Sequence, residues 1–162
     1  MAYYIEAKFV QATPIKKGEF YNKTAYPFEM RRGDPNSDGF FLTYPDGHVD
    51  WIPKDAFESS HLPVEQTAYI EVGAPSVTED MVNSFIKEYS VHTLGDRTTV
   101  VIATLVNGFE LVESSSCVSA ENYNVDLGAD ICKSKIKDKV WLLLGFLLKS
   151  AVSGFNGSVY RK

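Results

Sequence analysis

A Pro-Asp-Gly turn at residues 45–47 constrains the fold of this chain more than any other sequence feature. Residues 40–44 before it and residues 48–52 after it are rich in aromatic and β-branched side chains. Asp-Gly between two such runs favours an antiparallel hairpin, because a tight turn between twisted strands needs a residue with positive φ. We therefore predict a two-stranded hairpin over residues 40–52.

The second half of the chain contains a similar arrangement, with Asn-Gly at residues 107–108. Residues 98–106 are mostly β-branched and long enough for a buried strand, and residues 109–112 form its return. Asn-Gly is typical of a type I′ turn, in which both central residues have positive φ. The sequence thus predicts one hairpin in each half of the chain.

Shorter patterns surround the first hairpin. Residues 4–10 predict a strand that Pro14 closes, since proline cannot donate a hydrogen bond to a sheet. Residues 17–23 predict a short helical turn, and the Gly-, Asp- and Asn-rich residues 31–39 predict an exposed loop. Pro53 is expected to begin a second short helix, because proline is favoured at the first helical position.

A helix is predicted over residues 78–89 in the second half. Its apolar side chains recur at spacings of three and four, which places them on one face. Ser76 and Glu79 form a capping-box pattern at its start, in which the serine hydroxyl would cap the helix.

A longer helix is predicted over residues 126–149, with Asn124 or Asp126 as its N-cap. Its apolar side is assigned to Leu127, Ile131, Ile136, Val140, Leu143, Leu144 and Leu147. Such a helix is about 36 Å long at 1.5 Å per residue, more than a two-stranded hairpin covers. We therefore expect the apolar residues 141–148 to form a self-association surface and the protein to be a homo-oligomer.

Together these elements predict an α+β fold of two small lobes, each with an antiparallel hairpin, plus the long C-terminal helix. The first lobe is assigned to residues 1–62, a linker to residues 63–77 and the second lobe to residues 78–162. Within the linker, residues 68–73 suit a strand that pairs with a neighbour.

The charge and the apolar runs of the chain exclude several classes of function. Sixteen Lys and Arg against twenty-one Asp and Glu argue against general nucleic-acid binding, which needs a basic excess. The N-terminal residues lack the basic and apolar regions of a signal peptide, and residues 141–148 are far shorter than the ~20 residues of a membrane helix. We expect a cytoplasmic protein without a membrane span.

The sequence contains no set of residues that assembles into a catalytic or metal site. Cys117 and Cys132 are too few for a disulfide framework or a zinc site, and the three histidines are scattered. Nucleophile-elbow, Walker and dinucleotide-binding motifs are absent from the sequence. We therefore expect a protein that is not an enzyme and that uses no cofactor and no metal.

Five residues around the first hairpin form the candidate ligand site: Arg31, Arg32, Tyr44, His48 and Trp51. Aromatic faces can stack on a base, and guanidinium groups can bind phosphate oxygens through two parallel hydrogen bonds. In the alternative interpretation Trp51, like Phe41 beside it, fills a small β-rich core.

Three motifs of the second half follow one another in a recurrent order. They are the Asn-Gly-Phe turn at residues 107–109, Ser-x-Cys-Val-Ser at residues 115–119 and Trp-x-Leu-x-Gly-Phe-x-Leu at residues 141–148. Together they resemble a widespread family of small tailed-phage proteins of unknown function, over about residues 78–150. The resemblance implies a phage or prophage product that is made in the host bacterial cytoplasm and is not catalytic.

Residues 38–62 contain Tyr-Pro-Asp-Gly followed by Trp-x-Pro and resemble a second recurrent phage module. They are also similar to phage proteins that sequester the nucleotide signals of Thoeris-type bacterial immunity, which share a strand, a Trp-x-Pro turn and a short helix. The chain departs from those proteins at residues 59–62, where Ser-Ser-His-Leu replaces an acidic-Trp ending. The similarity implies a cyclic nucleotide or an ADP-ribose-derived molecule as ligand.

Two functions of different classes follow. In the first, the protein counters bacterial defence by binding and sequestering a nucleotide-derived immune signal. In the second, it binds and inhibits a host protein. The nine Tyr, ten Phe and two Trp suit either function, since aromatic rings stack on bases and also anchor protein interfaces.

Overall fold

The computed structural model describes residues 2–64 and 75–155 of the chain. Its helices and strands are, in order, β1 (Gln11–Lys16), α1 (Lys17–Lys23), β2 (Asp38–Thr43), β3 (Val49–Pro53), α2 (Lys54–Ser60), α3 (Glu79–Phe85), β4 (Ile86–Leu94), β5 (Thr98–Leu105), β6 (Glu110–Ser116) and α4 (Val125–Ser153). Single turns of 3-10 helix lie at Phe28–Met30 and Ala120–Asn122. The fold is α+β, as predicted.

The chain divides into two compact units. One comprises Met1–Pro63 together with Lys149–Lys162, and the other comprises Val64–Leu148. Each contains a three-stranded antiparallel sheet, with the strand orders β1-β2-β3 and β4-β5-β6. The strand predicted at residues 68–73 lies outside the described residues.

The first strand lies later in the chain than predicted. Residues 4–10 form neither helix nor strand, and β1 runs straight through Pro14. β1 is an edge strand, and an edge strand accepts proline where the missing N–H would point away from its neighbour. The prediction that Pro14 closes a strand over residues 4–10 is therefore wrong.

The first predicted hairpin is present as β2 and β3. The Gly47 N–H donates to the Tyr44 carbonyl at 2.9 Å, and the Tyr44 N–H donates to the His48 carbonyl at 2.9 Å. Gly47 has a φ of 85°, which an L side chain would adopt only with strain. The result is a three-residue hairpin loop in which glycine takes the left-handed position.

The second predicted hairpin, β5 and β6, closes with the same pattern of hydrogen bonds. Gly108 donates to the Leu105 carbonyl at 2.9 Å, and Leu105 donates to the Phe109 carbonyl at 2.8 Å. Gly108 has a φ of 82°, whereas Asn107 is not among the residues with positive φ. The type I′ prediction is therefore wrong, because the loop holds three residues instead of two.

α1 follows its predicted range, whereas α2 begins at Lys54 and not at Pro53, which ends β3 and precedes the first helical residue. Both helices pack aromatic rings on the first sheet. Phe20 and Tyr21 of α1 are buried with Ile15 in the core of the first unit. Phe57 of α2 stacks on Phe40 of β2, with ring centroids 4.0 Å apart.

The predicted helix over residues 78–89 is correct only in its first half. α3 ends at Phe85, and the chain continues directly as β4, which pairs with β5 from Ile86 opposite Leu105 to Leu94 opposite Thr98. Pairing along nearly a whole strand outweighs a weak local helix preference. The apolar spacing of three and four therefore predicted a helix for residues 86–89, which belong to β4.

Thr78, and not Ser76, caps α3. The Met81 N–H donates to Thr78 Oγ1 at 3.2 Å. The capping-box assignment is wrong because α3 begins at Glu79, so the amide that needs an acceptor is the one three residues after Thr78.

α4 lies on one face of β5. The residues of β5 that face it are buried and alternate with half-buried ones: Thr99, Val101, Ala103 and Leu105. A Cβ atom at Gly128 would lie 2.3 Å from Thr99 Oγ1, so the two backbones approach closely there. Asn124 caps α4, since its Oδ1 accepts from the Leu127 N–H at 3.0 Å. Asn124 is one of the two residues predicted as the N-cap.

The apolar side of α4 is only partly as predicted. Its buried residues up to residue 144 are Gly128, Ala129, Cys132, Ile136, Val140 and Leu144. Four residues assigned to the apolar side are exposed instead: Leu127, Ile131, Leu143 and Leu147. Small residues take the contact at the N-terminal end because larger ones would not fit against β5.

In the part of the chain that the structure describes, none of the helices is both long and apolar enough to span a membrane.

Candidate functional site

Trp51 lies at the edge of the core of the first unit. It pairs with Phe41 across β2 and β3, and both side chains pack against the buried Ile15, Phe20 and Tyr21. Its indole Nε1 donates to the Ile15 carbonyl at 3.4 Å. This position agrees with the alternative interpretation, in which Trp51 fills a small core.

The indole ring is enclosed from two further directions. A Cβ atom at Gly39 would lie 2.4 Å from the Trp51 ring, so the ring lies directly on the glycine backbone. The Lys17 ammonium lies 5.0 Å from the ring centroid, within the range of a cation–π contact. Lys17 is 34 residues away from Trp51 in the sequence, and only the tertiary structure brings the two side chains together.

Tyr44 and His48 lie together at the first hairpin turn. Their ring centroids are 5.5 Å apart, and the Lys8 ammonium lies 5.2 Å from the Tyr44 centroid. His48 is exposed and Tyr44 is half-buried. The turn therefore carries two aromatic rings and a cation, where a planar ligand could stack.

Both arginines bind the protein's own backbone. Arg31 Nε donates to the Tyr26 carbonyl at 3.2 Å, and its guanidinium lies 5.6 Å from the Tyr21 ring. Arg32 Nη1 donates to the carbonyls of Glu29 at 2.6 Å and Arg31 at 2.9 Å. These bonds use part of the hydrogen-bonding capacity that a phosphate ligand would need.

The five predicted site residues thus form two groups. Arg31 and Arg32 are connected through Tyr21 to the core that contains Trp51, while Tyr44 and His48 lie at the hairpin turn. Among the described residues, none of the ring or hydrogen-bond contacts joins the turn pair to the arginines. A single pocket lined by all five side chains is not formed by these contacts.

The loop that follows α1 is held by hydrogen bonds at both ends. Residues 26–32, here the 26–32 loop, begin at the end of α1 with the two hydrogen bonds of a Schellman motif. The Tyr26 N–H donates to the Tyr21 carbonyl at 2.9 Å, and the Ala25 N–H donates to the Asn22 carbonyl at 3.4 Å. Ala25 takes the left-handed position that glycine usually occupies, with a φ of 49°.

Side chains hold the far end of the 26–32 loop. The Tyr21 hydroxyl donates to the Arg32 carbonyl at 2.7 Å and accepts from the Arg32 N–H at 3.1 Å. The Tyr21 and Tyr26 rings lie 5.3 Å apart. On this fixed backbone Phe28 is 80% exposed and Met30 is 60% exposed. An apolar Phe-x-Met beside two arginines was the signal available in the sequence.

The second unit contains a cluster of hydroxyl groups at the start of α4. The Tyr123 hydroxyl lies 2.9 Å from Thr93 Oγ1 and 3.0 Å from the buried Thr99 Oγ1. Nearby on β4, the Tyr89 hydroxyl is buried without a hydrogen-bond partner among the described residues, and burial raises the pKa of Tyr89. Through these hydrogen bonds the Tyr123 side chain connects β4 and β5 to the segment before α4.

Both cysteine side chains lie against backbone carbonyl groups. Cys117 is half-buried, and its Sγ donates to the Ser119 carbonyl at 2.9 Å. Cys132 is buried against β5, and burial raises the pKa of its thiol, which disfavours the reactive thiolate. Within residues 2–64 and 75–155, no group of three or more His, Cys, Asp or Glu is arranged to hold a metal ion.

Comparison with known proteins relates the second half of the chain to a phage family. Residues 77–152, slightly less than half of the chain, match the model of a family described as phage protein (N4 Gp49/phage Sf6 gene 66). No curated protein and no solved structure matches the chain significantly. The match covers α3, the second sheet and most of α4, and it does not address the similarity of residues 38–62 to nucleotide-sequestering phage proteins.

The sequence resemblance of the second half to a small phage family is therefore confirmed, and residues 77–152 carry the sequence pattern of the phage protein (N4 Gp49/phage Sf6 gene 66) family.

Proposed function

We propose that this phage accessory protein acts in the host cytoplasm by binding a host protein through the 26–32 loop. The observation that carries the proposal is the exposure of Phe28 and Met30 on a backbone fixed at both ends. Aromatic residues, methionine and arginine are enriched in protein interfaces, and all three are present here. Binding requires no catalysis and no cofactor.

The fixed backbone favours affinity. Association costs about 0.5–1.5 kcal/mol for each flexible side chain that becomes ordered, and more when a loop must order with it. In the 26–32 loop the Schellman motif, Tyr21 and the two arginines have already ordered the backbone. Phe28 and Met30 can then enter a pocket without that further cost.

The chemistry of the loop indicates the chemistry of the partner. The Arg31 guanidinium lies 5.9 Å from the Phe28 ring, so a positive charge borders the apolar side chains. Arg32 is exposed, with its Nη1 bound to carbonyls. The complementary surface is an apolar pocket with carboxylates at its rim, since carboxylates pair strongly with guanidinium groups.

The test compares wild-type protein with Phe28→Ala and with Phe109→Ala, a matched loss of an exposed ring in the second unit. Host proteins captured by the wild type are purified and titrated against all three by calorimetry. We expect Phe28→Ala to weaken binding at least about tenfold, equivalent to ~1.4 kcal/mol, and Phe109→Ala to bind like the wild type. Equal binding by Phe28→Ala, or no partner that binds the wild type, would contradict the proposal.

Nucleotide sequestration is the second candidate, and the grouping of Tyr44, His48 and Lys8 at the hairpin turn favours it. A base stacked on these rings would gain about 1–3 kcal/mol. The Lys8 ammonium forms an ion pair with Glu6 at 2.8 Å, and a phosphate would have to replace that carboxylate. Calorimetric titration with cyclic dinucleotides and cyclic ADP-ribose isomers tests this candidate. Tyr44→Ala should weaken such binding about tenfold or more. Heat changes that are absent at micromolar protein and ligand would reject it.

A further inference from the structure

Two turns of α4 carry no polar side chain on any face. They are residues 141–148: Trp141, Leu142, Leu143, Leu144, Gly145, Phe146, Leu147 and Leu148. Leu144 is buried, whereas Leu142 is 73% exposed and Trp141, Leu143 and Leu147 are also exposed. A contiguous apolar surface of this kind is unusual on a soluble monomer and marks an interaction site.

The exposure follows from the way α4 crosses its sheet. Its buried residues Cys132, Ile136, Val140 and Leu144 are spaced by four. Each step of four residues turns about 40° beyond a full helical turn, so the buried line winds around the helix. Over residues 141–148 the winding leaves the face that contains Leu142 and Gly145 uncovered.

This face has a projection and a notch. Leu142 projects from it, and three residues later Gly145 has open space where a Cβ atom would lie, with no heavy atom within 4 Å. Residues three apart on a helix lie on the same side. In a twofold, antiparallel pair of helices, Leu142 of each copy would fill the notch at Gly145 of the other.

The charges that flank this face are complementary in the same register. Asp138 lies four residues before Leu142, and Lys149 lies four residues after Gly145 along the same helix. Both are exposed, and neither belongs to an ion pair among the described residues. When Leu142 of one copy lies on Gly145 of the other, Asp138 of one copy lies beside Lys149 of the other. The twofold symmetry repeats this contact, so the pair of helices has two such ion pairs. A parallel pair would bring like charges together instead.

We propose that a second copy of this chain packs antiparallel on the face of α4 formed by Asp138, Leu142, Gly145 and Lys149. The occupant is a second copy because the projection, the notch and the two charges complement one another on a single surface. This face and the 26–32 loop share no residues, so binding at one can be absent while binding at the other is present.

Sedimentation equilibrium of the full chain over a wide concentration range measures the association. We expect a concentration-dependent dimer in the wild type. Leu142→Ala and Gly145→Leu should each weaken it at least about tenfold. The matched control is Leu94→Ala, which removes a similarly exposed leucine from β4, outside α4, and should leave the dimer unchanged.

A charge exchange separates this dimer from other modes of association. Asp138→Lys and Lys149→Asp should each weaken the dimer, and the double variant should restore it because the two ion pairs re-form with reversed sign. Circular dichroism of each variant checks the fold. A wild type that stays monomeric at all concentrations, or a dimer that ignores the single charge changes, would overturn the proposal. A monomer that binds vesicles or a host protein through this face would also overturn it.

Discussion

At the scale of single residues, the strongest constraint in the second unit is the contact between Gly128 and Thr99. Alanine at residue 128 would gain ~1 kcal/mol of helix preference but would force its Cβ to within 2.3 Å of Thr99 Oγ1. Thr99 is completely buried, so it has little room to move. We expect Gly128→Ala to destabilise the protein by about 1–3 kcal/mol, as overpacked cores do. Urea unfolding measures this, and a variant as stable as Ser134→Ala, an exposed position of α4, would contradict it.

Ala25 gives a residue-scale prediction of the opposite sign. Its left-handed backbone costs about 1–2 kcal/mol, which glycine would avoid, while glycine adds unfolded-state entropy worth about 0.4–1 kcal/mol. We expect Ala25→Gly to stabilise the protein by about 0.5–1 kcal/mol on balance. Thermal unfolding checks the prediction, with Ala56→Gly in α2 as a control that should destabilise. A lower melting temperature for Ala25→Gly would show that the backbone at residue 25 is not strained.

At the scale of elements, α4 is linked to β6 by two lysines. Lys139 forms an ion pair with Glu113, and Lys135 Nζ donates to the Ser114 carbonyl at 3.2 Å. The Lys139 ammonium holds the pKa of Glu113 below its usual value, more than partial burial raises it. A carboxyl whose pKa is lowered on folding stabilises the protein above its unfolded pKa and loses this contribution as pH falls through the folded pKa.

The free energy of unfolding should therefore respond to pH through Glu113. We expect Glu113→Gln to be less stable than the wild type near pH 7, by about 1 kcal/mol or less because the lysine is half-exposed. The difference should begin to shrink as pH falls below about 4.5, where the carboxyl of the unfolded chain becomes protonated, and should vanish only below the lowered pKa of the folded protein. Urea titrations of both proteins across this range measure it. A difference that stays constant with pH would exclude the ion pair as the cause.

At the scale of the whole molecule, each of the two units has its own three-stranded sheet, so we expect a core substitution in one unit to spare the sheet of the other. Trp51→Ala removes a half-buried ring from the core of the first unit, and we expect a loss of ~2–4 kcal/mol in that unit. Hydrogen exchange should show faster exchange in β1 to β3 and unchanged protection in β5. His48→Ala, at the exposed turn, is the control that should leave both units unchanged. Equal loss of protection in both sheets would show that they unfold together.

The sequence alone determined the features whose chemistry is local. Both hairpins, α1, α2, the Asn124 cap and the long α4 follow from turn residues, caps and helical periodicity within a few residues of one another. The family pattern of residues 77–152 is also carried by contiguous motifs. Tyr44 and His48 lie close together for the same reason, because a short turn joins them.

The tertiary structure decided the features that depend on residues far apart in the chain. β4 is a strand because it pairs with β5, although its own spacing suits a helix. Gly128 and Cys132 face the sheet because two backbones approach closely at Thr99, which hydrophobicity along α4 does not encode. The side chains of Arg31 and Arg32 donate hydrogen bonds to carbonyls of their own loop and not to Tyr44 or His48. The Schellman turn after α1 directs this loop toward Tyr21. Local preferences are worth fractions of a kcal/mol per residue, so a long strand pairing or a buried contact overrides them.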